Sequence, residues 1–436
     1  MKVSSVLAVL SCLMVSVGFA GPQVFTYQGD VLVGVDAPAD STKAATVTWV
    51  EVTTNTLASA NYGYMVNTTW RPTITLPASV MLHRTDTIRV SGAGTGGWKI
   101  ALQPGQQVRL SNIPFGIPSG SWTPRGPNQG WRGAASSANG TKLVACTWGG
   151  QIYTSWDSGV TWTARDSNRG WYFVSSSADG TKLAACSATG RMYTSWNSGA
   201  TWTPRASVGY WTSVASSADG TKLIACDVGF FPSSPGRLYT SSDSGVTWTP
   251  RDTNRFWFSV ASSADGTKLA AAVNGGQIYT SSDSGVTWTP RESNRDWYSV
   301  ASSADGTKLV ATVNGGQIYT SSNSGATWTA RESSRSWRYA AASADGTRLI
   351  ACVWGGQIYT SADSGVSWTA QESSRNWIAV ATSADGTKLV ACNSGGQIYT
   401  RKYATLTGGQ NSAVEIQYIG GNTFMPLSYF GSVRME

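Results

Sequence analysis

A tryptophan-anchored repeat of about forty residues dominates the chain and constrains its fold more than any other feature. The anchor tryptophans are separated by 40, 40, 46, 40, 40 and 40 residues. They are Trp131, Trp171, Trp211, Trp257, Trp297, Trp337 and Trp377. Two consecutive repeats, 257–296 and 297–336, are identical at 32 of their 40 positions. The chain therefore contains seven structurally equivalent repeats, here numbered one to seven from their anchors.

Each repeat divides into four strand-like runs separated by turn residues. In repeat five the runs are WYSVASS, TKLVATV, GQIYTSS and ATWTAR. An Ala-Asp-Gly hairpin signal separates the first two runs, and Asn-Gly-Gly and Ser-Asn-Ser-Gly separate the others. Four short strands every forty residues, without helical periodicity, predict the blades of a β-propeller.

The ends of the repeat array predict how a ring would close. Repeat seven contains its first three runs but then reads RKYATL, whereas residues 119–125, before repeat one, read SGSWTPR. The N-terminal run therefore supplies the missing fourth strand, which removes an exposed sheet edge. We predict an all-β fold in which residues 116–400 form a seven-bladed propeller of four-stranded antiparallel blades, closed by an N-terminal strand.

The segments outside the repeats predict an exported chain with a second β domain. Residues 1–20 combine Lys2 with an apolar run and small residues before Gly21, a pattern typical of a secretory signal peptide cleaved after Ala20. The mature chain is therefore expected in the extracellular space or the periplasm, or at the cell surface. Residues 21–115 alternate like β-strands, and 401–436 are expected to complete the same small domain. Two unrelated β appendages remain the alternative.

Five cysteines follow the predicted cleavage site, each fifteen residues after an anchor tryptophan. Repeats four and five place Ala272 and Thr312 at this position, so it requires a small side chain rather than a disulfide partner. We predict five inert core thiols. They are Cys146, Cys186, Cys226, Cys352 and Cys392.

Six phrases such as SSDSGVTW (281–288) resemble the Asp box of bacterial neuraminidase (BNR) repeats. The resemblance implies a turn between the third and fourth strands, in which the aspartate binds turn amides and the tryptophan packs inside. The structural box positions are Asp157, Asn197, Asp243, Asp283, Asn323 and Asp363. Asparagine at two of them keeps an acceptor but no charge, so the charge is not essential in every copy.

The sequence does not predict an enzyme, although the box suggests a sialidase. The resemblance would require an arginine in the motif that here reads Phe115-Gly116-Ile117-Pro118, where glycine replaces it. Three glutamates, Glu292, Glu332 and Glu372, occupy one repeated position, so no distinct carboxylate pair is available. With a single histidine, His83, and no phosphate-binding loop, we predict no catalytic residue, metal, cofactor or nucleic-acid partner.

The links between repeats carry arginine in two registers, in keeping with a net charge of +8. The first register is Arg125, Arg165, Arg205, Arg251, Arg291 and Arg331, with Gln371 in the seventh place. The second is Arg169, Arg255, Arg295, Arg335 and Arg375. We expect the arginines of both registers to form one basic rim on the face opposite the Asp boxes. Such a rim could bind carboxylates, sulfates or phosphates. A salt-bridge lattice with the acids of the links is the alternative.

Repeat three breaks the symmetry. It carries a six-residue insertion in DVGFFPSSPGR (227–237), and the preceding link, ASVGY (206–210), has neither arginine nor acid. We expect an apolar notch of Tyr210, Phe230 and Phe231 beside the rim, although a tolerated insertion would explain the same residues. The predicted ligand-binding residues are Arg255, Arg291, Arg295, Arg331, Arg335, Arg375, Tyr210, Phe230 and Phe231.

These observations predict an exported, non-catalytic, monomeric binding or scaffolding protein whose partner is a protein or an acidic ligand. The propeller also resembles photosystem II stability/assembly factors, which implies protein binding. The alternative is a lectin-like surface protein that binds acidic glycans. Its exposed aromatics would be Trp148, Trp156, Trp196 and Trp354.

Overall fold

A computed structural model describes residues 24–28, 31–35, 46–77, 86–101, 107–108, 122–230, 233–402, 405–408, 410–411, 413–420, 423–430 and 433–435. The predicted signal peptide, and with it the cleavage site, lies outside these residues. The chain divides into a flanking part, Met1–Gly120 with Tyr403–Glu436, and a repeat part, Ser121–Lys402. The described residues form strands and turns without a helix. None of them belongs to a helix long and apolar enough to cross a membrane.

The strands, in chain order, begin with nine in the N-terminal segment. These are β1 (Val24–Gln28), β2 (Val31–Val35), β3 (Thr46–Val52), β4 (Thr56–Leu57), β5 (Tyr62–Val66), β6 (Thr73–Thr75), β7 (Thr87–Gly92), β8 (Trp98–Ala101) and β9 (Gln107–Val108). The repeats contribute β10 (Thr123–Ser136), β11 (Leu143–Ser155), β12 (Thr163–Ser176), β13 (Leu183–Ser187), β14 (Gly190–Ser195), β15 (Thr203–Gly209), β16 (Trp211–Ser216), β17 (Leu223–Asp227), β18 (Gly229–Phe230), β19 (Ser234–Ser241), β20 (Thr249–Arg255), β21 (Trp257–Ser262), β22 (Leu269–Ser281), β23 (Thr289–Ser302), β24 (Leu309–Ser321), β25 (Thr329–Ala342), β26 (Leu349–Ser361), β27 (Thr369–Thr382) and β28 (Lys388–Lys402). The C-terminal segment adds β29 (Thr405–Gly408), β30 (Ala413–Gly420), β31 (Thr423–Phe430) and β32 (Val433–Met435).

The flanking part contains two sheets drawn from both ends of the chain. Its larger sheet has the order β1-β2-β3-β5-β7-β30-β31-β9, and its smaller sheet the order β32-β29-β8-β6-β4. Strand β30 pairs antiparallel with β7, and an ion pair of 3.0 Å between Arg89 and Glu415 joins the same two strands. Their inward-facing residues, such as Ile88 and Ile416, share one core with Trp98.

Within the repeat part, the long strands β12, β23, β25 and β27 each combine the fourth run of one repeat, the link and the first run of the next. In β23, residues from Thr289 to Asp296 pair with β22, and residues from Trp297 onwards pair with β24. The sequence predicts the links as connections between strands, but their backbone stays in the sheet. The pairing with β22 contains a bulge between Arg291 and Arg295, and the residue after the first arginine takes a positive φ, as in Glu292 at 54°.

The two ends of the repeat array pair with each other. Thr123 of β10 lies opposite Thr400 of β28, and Arg125 lies opposite Ile398. Residues 123–125 thus take the position that the fourth run occupies in the other repeats.

A chain of backbone hydrogen bonds also connects the first hairpin of every repeat to that of the next. Each donor is the alanine N–H that begins the hairpin and each acceptor is the equivalent carbonyl, at 2.7 Å. The bonds run from Ala138 to Ala178, Ala218, Ala264, Ala304, Ala344 and Ala384, and from Ala384 back to Ala138.

The anchor tryptophans form the core of each repeat. Trp297 is fully buried, donates its Nε1–H to the Ser293 carbonyl at 3.2 Å, and contacts the rings of Tyr319 and Trp328. The five cysteines are free and buried beside these cores. Burial raises the pKa of the Cys146, Cys226 and Cys352 thiols to about 12.

Candidate functional site

The Asp boxes are closed networks of hydrogen bonds. Asp283 accepts bonds from the Thr287 N–H at 2.9 Å, the Thr287 hydroxyl at 2.6 Å and the Ser281 hydroxyl at 2.7 Å. Ser281 in turn accepts the Gly285 N–H, and the Trp288 indole donates to the Gly285 carbonyl. The bonds from Thr287 and then Ser281 lower the pKa of Asp283 to about 2. The carboxylate is therefore fully engaged in building the turn.

The two asparagine boxes keep the same geometry. Asn323 Oδ1 accepts the Thr327 N–H at 2.9 Å, and its Nδ2 donates to the Thr327 hydroxyl at 2.8 Å. The hydroxyl, which donates in the aspartate boxes, here becomes the acceptor. The network thus depends on hydrogen-bonding groups rather than on charge.

The second arginine register is held by local contacts. Arg295 lies 3.4 Å from Glu292, and its guanidinium carbon lies 4.6 Å from the centroid of the Tyr319 ring. Arg255, Arg335 and Arg375 make the equivalent ion pair and ring contact. About a third of each of these side chains remains exposed, so each keeps an accessible edge.

The first register lies elsewhere, so the arginines do not form one rim. Arg291 donates its Nε–H to the Thr280 hydroxyl at 3.0 Å and lines a groove of about 120 Å³ with Lys268 and Ser324. Arg331 lies in the equivalent groove of about 190 Å³ one repeat further on. A bulge lies between the two registers, since Arg291 is opposite Ile278 and Arg295 is opposite Gly276 with a register shift between these pairs. Ser324 belongs to an Asp box and Lys268 follows a hairpin, so the first register lies on the box side.

The symmetry-breaking residues of repeat three come together. The rings of Tyr210 and Phe230 meet edge to face at 4.5 Å between centroids. Phe230 is 61% exposed, and Val208 on the same link is also exposed. Asp227 fixes the insertion by accepting the N–H groups of Tyr210 and Gly229 at 3.0 and 2.8 Å. The third residue of the expected notch, Phe231, lies outside the described residues.

The notch borders on the second register. Arg255 is the backbone partner of Gly236, which belongs to the hairpin that carries Phe230. On the same hairpin Arg237 donates to the Asn254 side chain at 2.7 Å. The structure thus places the exposed Phe230 and its partner Tyr210 next to the ion-paired Arg255.

The four tryptophans of the alternative interpretation are partly exposed but belong to two groups. Trp156 and Trp196 follow third runs, and the first-register Arg165 and Arg205 lie against their rings. Trp148 and Trp354 lie in hairpins between second and third runs, where Arg132 and Arg338 contact them.

Sequence reasoning overlooked Arg132 and Arg338. Each directly follows an anchor tryptophan, at a position that also holds Tyr172, Thr212, Phe258, Tyr298 and Ile378. The variation of this one position among otherwise near-identical repeats is the sequence signal that could have identified the two arginines.

The carboxylates of the links and of the Asp boxes make local contacts. The acids of the links pair with arginines, and the acids of the boxes bind their own turns. Among the described residues, no cluster of three or more potential metal ligands occurs.

The solved structures similar to this chain include β-propellers. YCF48 from Cyanidioschyzon merolae shares 15% identity at a TM-score of 0.52, and the match covers 65% of this chain and 98% of that one. A second structure, YCF48 bound to D1 peptide, gives 15% identity and a TM-score of 0.52 over 66% and 98% of the two chains. No protein-family model and no curated protein matches the sequence. The likeness identifies an all-β, propeller-like fold.

Proposed function

We propose that the repeat part is a seven-bladed β-propeller closed by residues 123–125. The pairing of Thr123 with Thr400 supports closure, and so does the hydrogen bond from Ala384 back to Ala138. A closed ring satisfies the backbone groups of what would otherwise be the two edge strands.

We further propose that the protein is an exported, monomeric, non-catalytic binding or scaffolding factor for a protein partner. The observation that carries this proposal is the exposed Phe230, on the one hairpin that departs from the repeat, in contact with the Tyr210 ring. An apolar anchor bordered by charged groups is the composition of a protein-binding hot spot. Export rests on the signal pattern of residues 1–20.

The second register supplies the charged border. Arg255, Arg295, Arg335 and Arg375 each keep an accessible edge, so they can exchange contacts with acidic residues of a partner. Arg291 and Arg331 are left out of the proposed face, because they line grooves on the box side. The similarity to a YCF48 structure that contains a bound peptide favours a polypeptide ligand.

A displayed library of random peptides, selected against the immobilised full chain, tests the proposal. We expect enrichment of peptides that combine aromatic or aliphatic residues with acidic ones. The Phe230→Ser variant should bind the selected peptides about tenfold more weakly, because the anchor loses its apolar contact. The Arg255→Gln variant should bind them about threefold more weakly, and its binding should depend less on salt.

The matched control is Arg205→Gln, which removes a first-register arginine bonded to Thr194. It should bind the selected peptides like the wild type. Failure to enrich any peptide, or equal binding to the Phe230→Ser protein, would contradict the proposal.

Carbohydrate binding is the second candidate, favoured by the 58% exposure of Trp156. A glycan array separates the two functions. Binding of acidic glycans that is lost in the Arg295→Ala and Arg335→Ala variants supports the lectin, and no signal across acidic glycans rejects it.

A further inference from the structure

The repeats differ most where their first runs approach one another. The residue after the anchor tryptophan is of five different types in the seven repeats, and so is the residue after that one. Phe173 of repeat two stacks on Tyr339 of repeat six at 5.0 Å between centroids, and Tyr298 of repeat five contacts Tyr339 at 5.5 Å. Residues distant in sequence therefore meet in one cluster.

Two arginines flank this cluster. The guanidinium carbon of Arg132 lies 4.7 Å from the centroid of the Tyr172 ring and 5.7 Å from that of Trp148. The guanidinium carbon of Arg338 lies 4.5 Å from the Tyr298 ring and 5.3 Å from Trp354. We call Arg132, Trp148, Tyr172, Arg338, Tyr339 and Trp354 the mouth cluster.

The charges of the mouth cluster are not compensated within the described residues. Each second-register arginine has an acid three residues before it, but neither Arg132 nor Arg338 forms an ion pair with a described carboxylate. The Nε atoms of both are buried without a hydrogen-bond partner in the same part of the chain. Two such cations in one cluster favour the binding of an anion.

A buried hydroxyl provides an independent indication of a ligand. Tyr339 is 4% exposed, and its hydroxyl has no hydrogen-bond partner among the described residues. Burial raises the pKa of Tyr339 well above its ordinary value, and the charge of Arg132 opposes that rise, so the two groups are near neighbours. Burial likewise raises the pKa of Tyr172, opposed by both Arg132 and Arg338. The hydroxyl of Tyr339 therefore remains a neutral donor near Arg132.

The shape of the guanidinium group narrows the ligand class. Aromatic rings lie against the guanidinium groups of Arg132 and Arg338, which leaves their N–H edges for acceptors in the guanidinium plane. A planar carboxylate accepts two such N–H bonds at once. Trp148 and Trp354 remain partly exposed and supply apolar walls for the part of the ligand that carries the carboxylate.

We propose that the mouth cluster binds a carboxylate, supplied either by an acidic residue or chain terminus of a polypeptide or by a free organic acid. Arg132 and Arg338 bind its oxygens and Tyr339 donates a further hydrogen bond. None of these residues belongs to the notch at Phe230, so this site is independent of the function proposed above.

Calorimetric titration of the full chain with phenylacetate and with its neutral counterpart phenylacetamide tests the site. The acid should bind at least about tenfold more tightly than the amide, because only the acid pairs with the two cations. Arg132→Gln and Arg338→Gln should each lower the affinity for phenylacetate about tenfold, and Tyr339→Phe should lower it about threefold. Arg165→Gln, in the first register, is the matched control and should bind like the wild type.

Two peptides distinguish the sources of the carboxylate. If acetyl-Phe-Glu-Phe-amide binds more tightly than phenylacetate and acetyl-Phe-Gln-Phe-amide does not bind, the site takes a polypeptide. If phenylacetate binds and the glutamate peptide does not, it takes a free acid.

Equal affinity for phenylacetate and phenylacetamide, or binding of none of the four probes up to about 10 mM, would overturn the proposal. So would equal loss of binding in Arg165→Gln and Arg132→Gln. If a mouth variant does not fold, as judged by its thermal unfolding, the comparison of acid with amide on the wild type still decides.

Discussion

At the scale of single residues, the repeated aspartates and arginines stabilise the turns and links of the repeats. Asp283 satisfies the amide and hydroxyl of its own turn, and Asn323 makes the same set of bonds without a charge. The residues available for recognition are those that occur once. Phe230 is an example, because it lies in the insertion that only repeat three carries, and it is exposed.

The exchange between Asp and Asn gives the first prediction. Asp283→Asn should leave the free energy of unfolding at neutral pH nearly unchanged, whereas Asp283→Ala should lower it by about 1 kcal/mol, because two donors of Thr287 lose their acceptor. Denaturant unfolding of the two variants measures the difference. Equal losses in both variants would show that the charge, and not the acceptor, is what matters.

The Ala-Asp-Gly hairpins between the first and second runs give a prediction about the pH dependence of stability. Hydrogen bonds from a serine and then a threonine lower the pKa of Asp179, Asp219, Asp265 and Asp305 from 3.8 to about 2. A carboxylate whose pKa is lower in the folded chain than in the unfolded chain stabilises the fold fully above pH 3.8 and loses that contribution as the pH falls towards 2. The thermal midpoint should therefore be flat from about pH 7 to 5 and fall steeply between about pH 4 and 2. A midpoint unchanged down to pH 2 would rule out this contribution.

At the scale of the strand and the repeat, sequence reasoning located the four runs and the Asp-box turns from local residues. It assigned all link arginines to one surface, because residue spacing alone does not show where a strand bulges. The bulge lies between Arg291, which bonds to Thr280, and Arg295, which pairs with Glu292. Tyr210 and Phe230 could be predicted to meet because both lie where the repeat pattern breaks. The mouth cluster could not be predicted, because its residues come from distant repeats and no local pattern shows that they are close.

The second runs give a prediction about the cysteines. Each thiol is buried, and burial raises the pKa of Cys146, Cys226 and Cys352 to about 12, so the thiolate is scarce at pH 8. A chromogenic disulfide reagent should label none of the five in the folded mature chain and all five in denaturant. Rapid labelling of even one thiol without denaturant would contradict this placement.

At the scale of the whole molecule, the account depends on the array of seven repeats being a closed ring. Phe173 of repeat two stacks on Tyr339 of repeat six, and the Ala384 N–H of repeat seven donates to the Ala138 carbonyl of repeat one. The proposed closed ring accounts for both contacts. The sequence alone predicts the closing strand, because repeat seven lacks its fourth run after residue 400. That prediction needs only a count of strands.

Amide hydrogen exchange at Ala384 tests ring closure most directly. Its N–H is the donor that returns to Ala138, at the same 2.7 Å as the six other bonds of the series. A closed ring predicts that Ala384 exchanges within about tenfold of Ala178, Ala218, Ala264, Ala304 and Ala344, because all open only when neighbouring hairpins separate. An Ala384 amide that exchanges at the rate of an unprotected peptide, while the others remain protected, would show that the ring is open.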